Sequence, residues 1–295
     1  MGNNTTRTLG ITGATGLIGR QLKKQAQAAG WSVIEYSRNP SGSQRSFSAD
    51  VPLDLSGLDV IVNLAGESIM GLGTPSKKQR ILQSRVQSTR RVVDALLASP
   101  NPPRVLVNAS AIGFYGEPGD REVDEASPAG SGFLADGTTA WEAETQRAEA
   151  AGIRVALIRI GMVLAREGGA AKLMRPAFKL GLGGKLGSGR QWMSAIHVAD
   201  VAGIILAAAS DANYRGPFNA VLPEPVTNAE FTRLAGQAAH RPAILPAPEF
   251  AIRLALGELS GLLLGSLRVK PQKTLEQGYS YQFPTLSGAL TDVFH

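Results

Sequence analysis

The chain has 295 residues, 43% of them hydrophobic and 18% charged, a balance that supports a large core in a water-exposed globular protein. It has no cysteine, which excludes disulfide and thiolate chemistry, and no uncharged run reaches the roughly 18 residues of a membrane span. The net charge of +6 comes from Lys and Arg spread along the chain without interleaved aromatics. A cytoplasmic protein with no nucleic-acid or membrane partner is therefore expected.

Residues Thr8–Thr12 read as a short buried strand, and Leu17, Ile18, Leu22 and Ala26 follow at helical spacing. Between them lie Gly13, Gly16 and Gly19. Glycines at a strand-to-helix junction let the backbone approach a pyrophosphate, and the helix N-terminus offers free N–H groups and partial positive charge. The second strand, Trp31–Tyr36, ends in Ser37-Arg38. An acid at this tip would accept from a ribose hydroxyl, whereas an Arg accommodates a 2′-phosphate. Glu35 lies too early in the strand for the first role, so NADP is favoured over NAD. Residues 40–58 read as a shortened connection.

Asp59–Leu64 is the next buried strand and runs into Ala65-Gly66-Glu67, small residues that permit close approach of a ligand. A long helix follows over 76–98, with Ile81, Leu82, Val86, Val92, Val93, Leu96 and Leu97 as its apolar stripe. Arg85 and Arg90 on it read as solvated or interfacial, with Ser84 or Arg85 facing the cofactor as the alternative. Arg104–Ala109 is a strand ending at Ser110, a polar loop covers 117–132, and a helix runs through Trp141, Ala148 and Ala151. The carboxylates Asp120, Glu122, Asp124 and Glu125 read as a solvated loop. Ile153–Arg159 is a further strand. Strands alternating with helices and no hairpin signals predict an α/β, Rossmann-like, doubly wound parallel sheet.

Beyond Gly161 the pattern changes. Glycines at 168–169 and 181–184 bracket a helix, Pro217–Val221 is a strand, and helices are predicted near 228–239 and 248–266 before a short tail around 279–283. Asp200 opens a helix whose dipole suits its charge. The Leu-rich 254–267 stretch reads as core or as the face of a homodimer. The division expected is a dinucleotide-binding domain over 7–165 and 193–222, and a smaller, mostly helical substrate lobe over 166–192 and 223–295.

Six segments carry a family resemblance: 12–19 (TGATGLIG), 63–67 (NLAGE), 84–86 (SRV), 110–116 (SAIGFYG), 183–191 (GGKLGSGRQ) and 196–200 (IHVAD). With the tail containing Arg241-Pro242-Ala243 and Arg268-Val269-Lys270-Pro271, they resemble the atypical, nucleoside-diphosphate-sugar-epimerase-like group of the extended short-chain dehydrogenase/reductases. The resemblance covers nearly the whole chain. It implies a nicotinamide dinucleotide, with Gly13, Gly16 and Gly19 at the pyrophosphate, Arg38 at the 2′-phosphate, Ala65 and Gly66 beside the cofactor and Ser110 near the nicotinamide. The wider set expected to line the cofactor is Thr12, Thr15, Leu17, Ile18, Ser37, Asn63, Leu64, Glu67, Ser84 and Arg159. Arg190 and His197 are the candidate substrate contacts.

One departure matters. Members with proven chemistry use a Tyr-x-x-x-Lys pair, in which the Lys lowers the Tyr pKa so that the phenol can exchange a proton. None of the five tyrosines here has a lysine four residues on, and the resembling group also lacks the pair. Ser110 as carbonyl partner and Tyr115 as substitute proton donor are the candidate catalytic residues. Three histidines without cysteine give no zinc spacing, Gly184-Lys185 lacks the P-loop Ser/Thr, and no metal is expected. Two functions fit: an NADP(H)-dependent, epimerase-like oxidoreductase acting on a small carbonyl or nucleotide-sugar-like substrate, or a non-catalytic NADP(H)-binding sensor or scaffold linked to cell division.

Overall fold

A computed structural model describes residues 6–68, 74–256 and 260–295. Its centre is a seven-stranded, all-parallel sheet. In chain order the strands are β1 (Thr8–Thr12), β2 (Ser32–Ser37), β3 (Arg45–Ser46), β4 (Val60–Asn63), β5 (Val105–Ala111), β6 (Arg154–Ile160) and β7 (Gly216–Ala220). Their spatial order is β7-β6-β5-β4-β1-β2-β3. The chain steps outward from β1 to β3 and then returns to the other side of β1, so the order reverses between β1 and β4. In doubly wound sheets ligands bind in the crevice at such a switch point, outside the strands' carboxyl ends.

Both faces of the sheet are covered, as side-chain alternation along parallel strands requires. On one face Leu9, Ile11, Val62, Val107 and Ile158 pack with Leu22 and Ala26 of helix α1 (Leu17–Ala28). Val201, Ile204, Ile205 and Ala208 of helix α6 (Val198–Ser210) complete that cluster. On the other face Ile61, Leu106, Val155 and Leu157 meet Val92, Val93 and Leu96 of helix α2 (Pro75–Ala98). Leu97, placed on that stripe by its spacing, is instead exposed. Arg154 is buried at the start of β6 because its guanidinium donates to the carbonyls of Ala208, Ala209 and Tyr214, satisfying the otherwise orphaned C-terminal end of α6.

Several expectations are corrected. The 40–58 connection contributes an edge strand, β3, held where Tyr36 and Arg45 both bond to the Asp54 carbonyl. The single helix expected after residue 132 and through Trp141, Ala148 and Ala151 is two helices, α3 (Phe133–Ala143) and α4 (Gln146–Ala150). Thr145 returns its hydroxyl to the Glu142 carbonyl at the break. The helix expected over 248–266 is likewise two pieces, Glu249–Leu256 and Gly261–Leu264, with 257–259 outside the described residues. The tail carries an unpredicted helix, Leu286–Phe294, capped by the Thr285 hydroxyl and burying Leu286, Ala289, Leu290 and Val293. It packs with helices α5 (Ala171–Lys179) and α7 (Asn228–Ala238) in a separate cluster that includes Phe178, Phe231 and Phe294.

Asp200 does more than complement a helix dipole. It is fully buried and accepts from the backbone N–H groups of Gln282 (2.7 Å) and Phe283 (3.1 Å), tying the tail to α6. Among the described residues, no helix is long and apolar enough to cross a membrane.

Candidate dinucleotide cleft

The turn after β1 is built from three glycines with three different constraints. Gly13 has φ +67°, and a Cβ there would lie 2.7 Å from the carbonyl oxygen of Leu64, the residue just past β4 across the switch point. At Gly19 a Cβ would lie 2.4 Å from the Gly13 oxygen and 2.7 Å from the Ala14 Cα, so helix and turn touch backbone to backbone. Gly16 is different. Its φ is −70°, it caps α1 without a side chain, and the one neighbour of its absent Cβ within 4 Å is the Gly13 oxygen at 3.1 Å. Gly16 and Thr15 face solvent, with Leu17 and Ile18 half-buried behind them. Two of the glycines are thus demanded by packing, and the third leaves open space in front of the helix N-terminus. Such a cradle fits a pyrophosphate.

At the tip of β2, Ser37 bonds locally to Asn39, and Arg38 is exposed with no partner among the described residues. Glu35 is occupied in an ion pair with Lys23 of α1. The tip therefore presents a free cation and no carboxylate.

Thr12 and Asn63 sit beneath this cleft, fully buried. The Thr12 hydroxyl donates to Asn63 Oδ1 (2.7 Å) and accepts from the Leu64 and Ala65 N–H groups. Asn63 donates in turn to Thr89 and to Asn108, and Trp141 Nε1 donates to Thr89 at 2.8 Å. This dry network locks the carboxyl ends of β1, β4 and β5 to α2 and α3. Above it, α2 holds the loop 64–67. Ser84 Oγ accepts from the Glu67 N–H, Ser88 Oγ donates to the Ala65 carbonyl, and Arg85 donates to the Glu67 carbonyl. Ser84 thus acts on the loop rather than from an open surface, and the Glu67 carboxylate pairs with Arg80.

The two candidate catalytic groups are withdrawn from the surface. Ser110 is 3% exposed and donates its hydroxyl to Glu142 Oε1 on α3. Glu142 receives a two-pronged bond from Arg159, both contacts at 2.9 Å. Arg159 also donates to the Tyr115 hydroxyl at 3.0 Å, and that hydroxyl donates to Asn219 Oδ1 at 2.9 Å. Burial pushes the Tyr115 pKa up to about 12, against the nearby Arg159 charge. Burial also disfavours the charge on Arg159, but the fork to Glu142 outweighs it and its pKa rises. In this arrangement the Ser110 proton and both capacities of the Tyr115 hydroxyl are committed within the protein. At and beyond these strand ends Ala65, Gly66, Ala111, Ile112, Gly113, Ile160 and Gly161, all apolar, are partly or fully exposed.

The two candidate substrate contacts lie apart from this cluster. His197 is buried, with its ring bonded within the fold. Its Nδ1 accepts from the Ala199 N–H and caps α6, which leaves the proton on Nε2, 3.2 Å from Asp292 of the C-terminal helix. Both ring nitrogens are used, and burial lowers its pKa against the pull of Asp292. Arg190 is exposed on the 183–191 loop, where Gly189 abuts Lys185 and Ala229 of α7. Of the carboxylates read as solvated, Asp120 and Glu122 are exposed and Asp124 is half-buried, whereas Glu125 is a correction. Glu125 is 7% exposed and accepts from the Asn219 and Lys273 N–H groups, Glu122 pairs with Arg268, and Asp120 accepts from Trp192. Among the described residues, no group of three or more acidic or histidine side chains is placed to hold a metal ion.

A parallel doubly wound sheet with a glycine cradle at its switch point defines a Rossmann-type dinucleotide-binding protein. Residues 9–220 match the NAD-dependent epimerase/dehydratase family, and residues 247–293 match a domain of unknown function, DUF1731. The chain belongs to that epimerase/dehydratase family. Among its relatives, an epimerase family protein of Arabidopsis thaliana, the chloroplastic SDR39U1 homolog, is 37% identical over 96% of this chain and 85% of its own length. The epimerase family protein YfhF of Bacillus subtilis is 36% identical over 97% of both chains. The crystal structure of human SDR39U1 (isoform 2) with NADPH superposes with a TM-score of 0.90, at 34% identity, over 97% of this chain and 99% of that one.

Proposed function

We propose that this protein is an NADP(H)-dependent, epimerase-like oxidoreductase acting on a small carbonyl substrate. The observation that carries the reading is the unpartnered Arg38 at the β2 tip, beside a glycine cradle with room in front of α1. A cation without a competing carboxylate suits a 2′-phosphate, and the NADPH bound to the human relative agrees with it. Gly13, Gly16 and the α1 N-terminus would hold the pyrophosphate. A bound nicotinamide supplies or accepts hydride, and the protein's part is to position the substrate and exclude water, for which the apolar strand ends are suited.

A second reading rests on a separate observation. Ser110 and Tyr115 spend their protons on Glu142 and Asn219, as expected for a dinucleotide-binding sensor or scaffold that performs no proton transfer. Calorimetric titration separates the cofactors first. NADPH should bind more tightly than NADH, and Arg38→Ala should weaken NADPH by roughly 10- to 100-fold while leaving NADH unchanged, the value of one or two charge-assisted hydrogen bonds. Equal affinities in the unaltered protein would remove the NADP assignment. NADPH oxidation with a panel of carbonyl compounds then distinguishes enzyme from sensor.

A further inference from the structure

Arg85 is a part-buried cation at the cleft whose described bonding uses only one edge of its guanidinium. It lies on α2 in the third turn, and its side chain crosses the backbone of Gly66, the exposed residue just beyond β4. A Cβ at Gly66 would stand 3.2 Å from Arg85 Cγ, 3.3 Å from Cζ and 3.4 Å from Nη1. One nitrogen does all the described bonding: Nη1 donates to the Glu67 carbonyl (3.0 Å) and the Ile81 carbonyl (2.9 Å). Among the described residues no carboxylate bonds to the guanidinium. Glu67 lies close enough to favour its charge, but the Glu67 carboxylate is bonded to Arg80. Burial works against the charge on Arg85, so the cation is held at some cost and is not fully repaid by the protein.

The group is also rigidly placed. Its Cζ lies 5.5 Å from the centre of the Trp141 ring, and that ring is pinned by its bond to Thr89 in the dry network under the cleft. Gly66, Trp141 and the two carbonyls fix the guanidinium on three sides, while among the described residues Nε and Nη2 have no protein acceptor. A fork of this kind matches a carboxylate or phosphate. Its position, past the end of β4, is on the opposite side of the switch point from Arg38 and therefore in the half of the crevice where the reacting end of a dinucleotide runs.

We propose that the open edge of Arg85 is the substrate's oxyanion site, so that this protein selects carbonyl compounds bearing a carboxylate or phosphate group. The inference rests on the cleft being the dinucleotide site proposed above. It also gives the substrate a recognition element that Ser110 and Tyr115, turned inward, do not provide.

The test is calorimetry of oxalate and, separately, of inorganic phosphate into the NADPH-loaded protein at fixed ionic strength, with Arg85→Gln and Arg85→Lys as variants. At least one anion should bind the unaltered protein, and which one binds tells carboxylate from phosphate. Arg85→Gln should weaken it by roughly 10- to 100-fold, a loss clearly larger than any change in NADPH affinity. Arg85→Lys, which keeps the charge without the fork, should fall between; it decides the matter if the Gln variant does not fold. The proposal is overturned if neither anion binds, if the variants bind as well as the unaltered protein, or if NADPH affinity falls in parallel with anion affinity. Should NADPH itself fail to bind, the cofactor reading is lost, and the same titrations on the unloaded protein still decide whether Arg85 is an anion site.

Discussion

Replacing Glu142 with Ala should destabilise this protein by about 3–5 kcal/mol, the penalty for stranding one member of a buried ion pair. For a chain of this length that amounts to a fall on the order of 10 °C in thermal midpoint, readable by calorimetry or circular dichroism. The reason lies in what Glu142 serves. Its side chain and that of Arg159 are 10% and 5% exposed, and the pair carries Ser110, Tyr115 and Asn219 with it. Removing the carboxylate leaves a buried guanidinium against the Phe114 ring with the Tyr115 hydroxyl as its remaining hydrogen-bond partner among the described residues, and the Ser110 hydroxyl loses its acceptor. The double variant Glu142→Leu with Arg159→Met should recover much of the loss, because the desolvation cost disappears with both charges. Were Glu142→Ala to melt within a degree or two of the unaltered protein, the cluster would contribute nothing, and a catalytic rather than structural role for Ser110 and Tyr115 would regain ground.

The second large effect belongs to the glycine turn. Gly19→Ala forces a methyl group against the Gly13 carbonyl and the Ala14 Cα, both backbone atoms that cannot rotate away. Overpacking of this kind costs about 1–3 kcal/mol and occasionally more. Relief comes through displacement of α1 from the turn, which disorganises the N–H groups that face the cleft. We expect Gly19→Ala to lower the melting temperature by several degrees and to abolish measurable NADPH binding. Undiminished binding would mean that the close contact between helix and turn is not needed for the site.

How much of this was legible beforehand depends on the range of the interactions. The glycine turn, the buried strands and α2 announce themselves through local spacing, and each appears within a residue or two of where periodicity places it. What escaped is polar and distant. Glu125 reads as a loop carboxylate, yet its partners lie 94 and 148 residues away at Asn219 and Lys273. Asp200 resembles an ordinary first-turn acid, and only the fold brings Gln282 and Phe283 to it. His197 and Arg159, both ligand candidates in the sequence, each face a charge on another element, Asp292 and Glu142, which no local pattern announces. The C-terminal helix carries a local signal of its own. Leu286, Ala289, Leu290 and Val293 recur at helical spacing after a capping Thr285.

The central claim is that a dinucleotide occupies the space in front of α1, and Gly16 tests it most directly. Unlike Gly13 and Gly19, it has an ordinary φ, and a Cβ there meets a single protein atom, at 3.1 Å. Gly16→Ala should therefore fold with a nearly unchanged melting temperature while its methyl group stands where the pyrophosphate must lie. Calorimetric titration with NADPH should show affinity reduced by roughly 100-fold, about 2.7 kcal/mol. Affinity equal to that of the unaltered protein, in a variant that melts normally, would contradict the account.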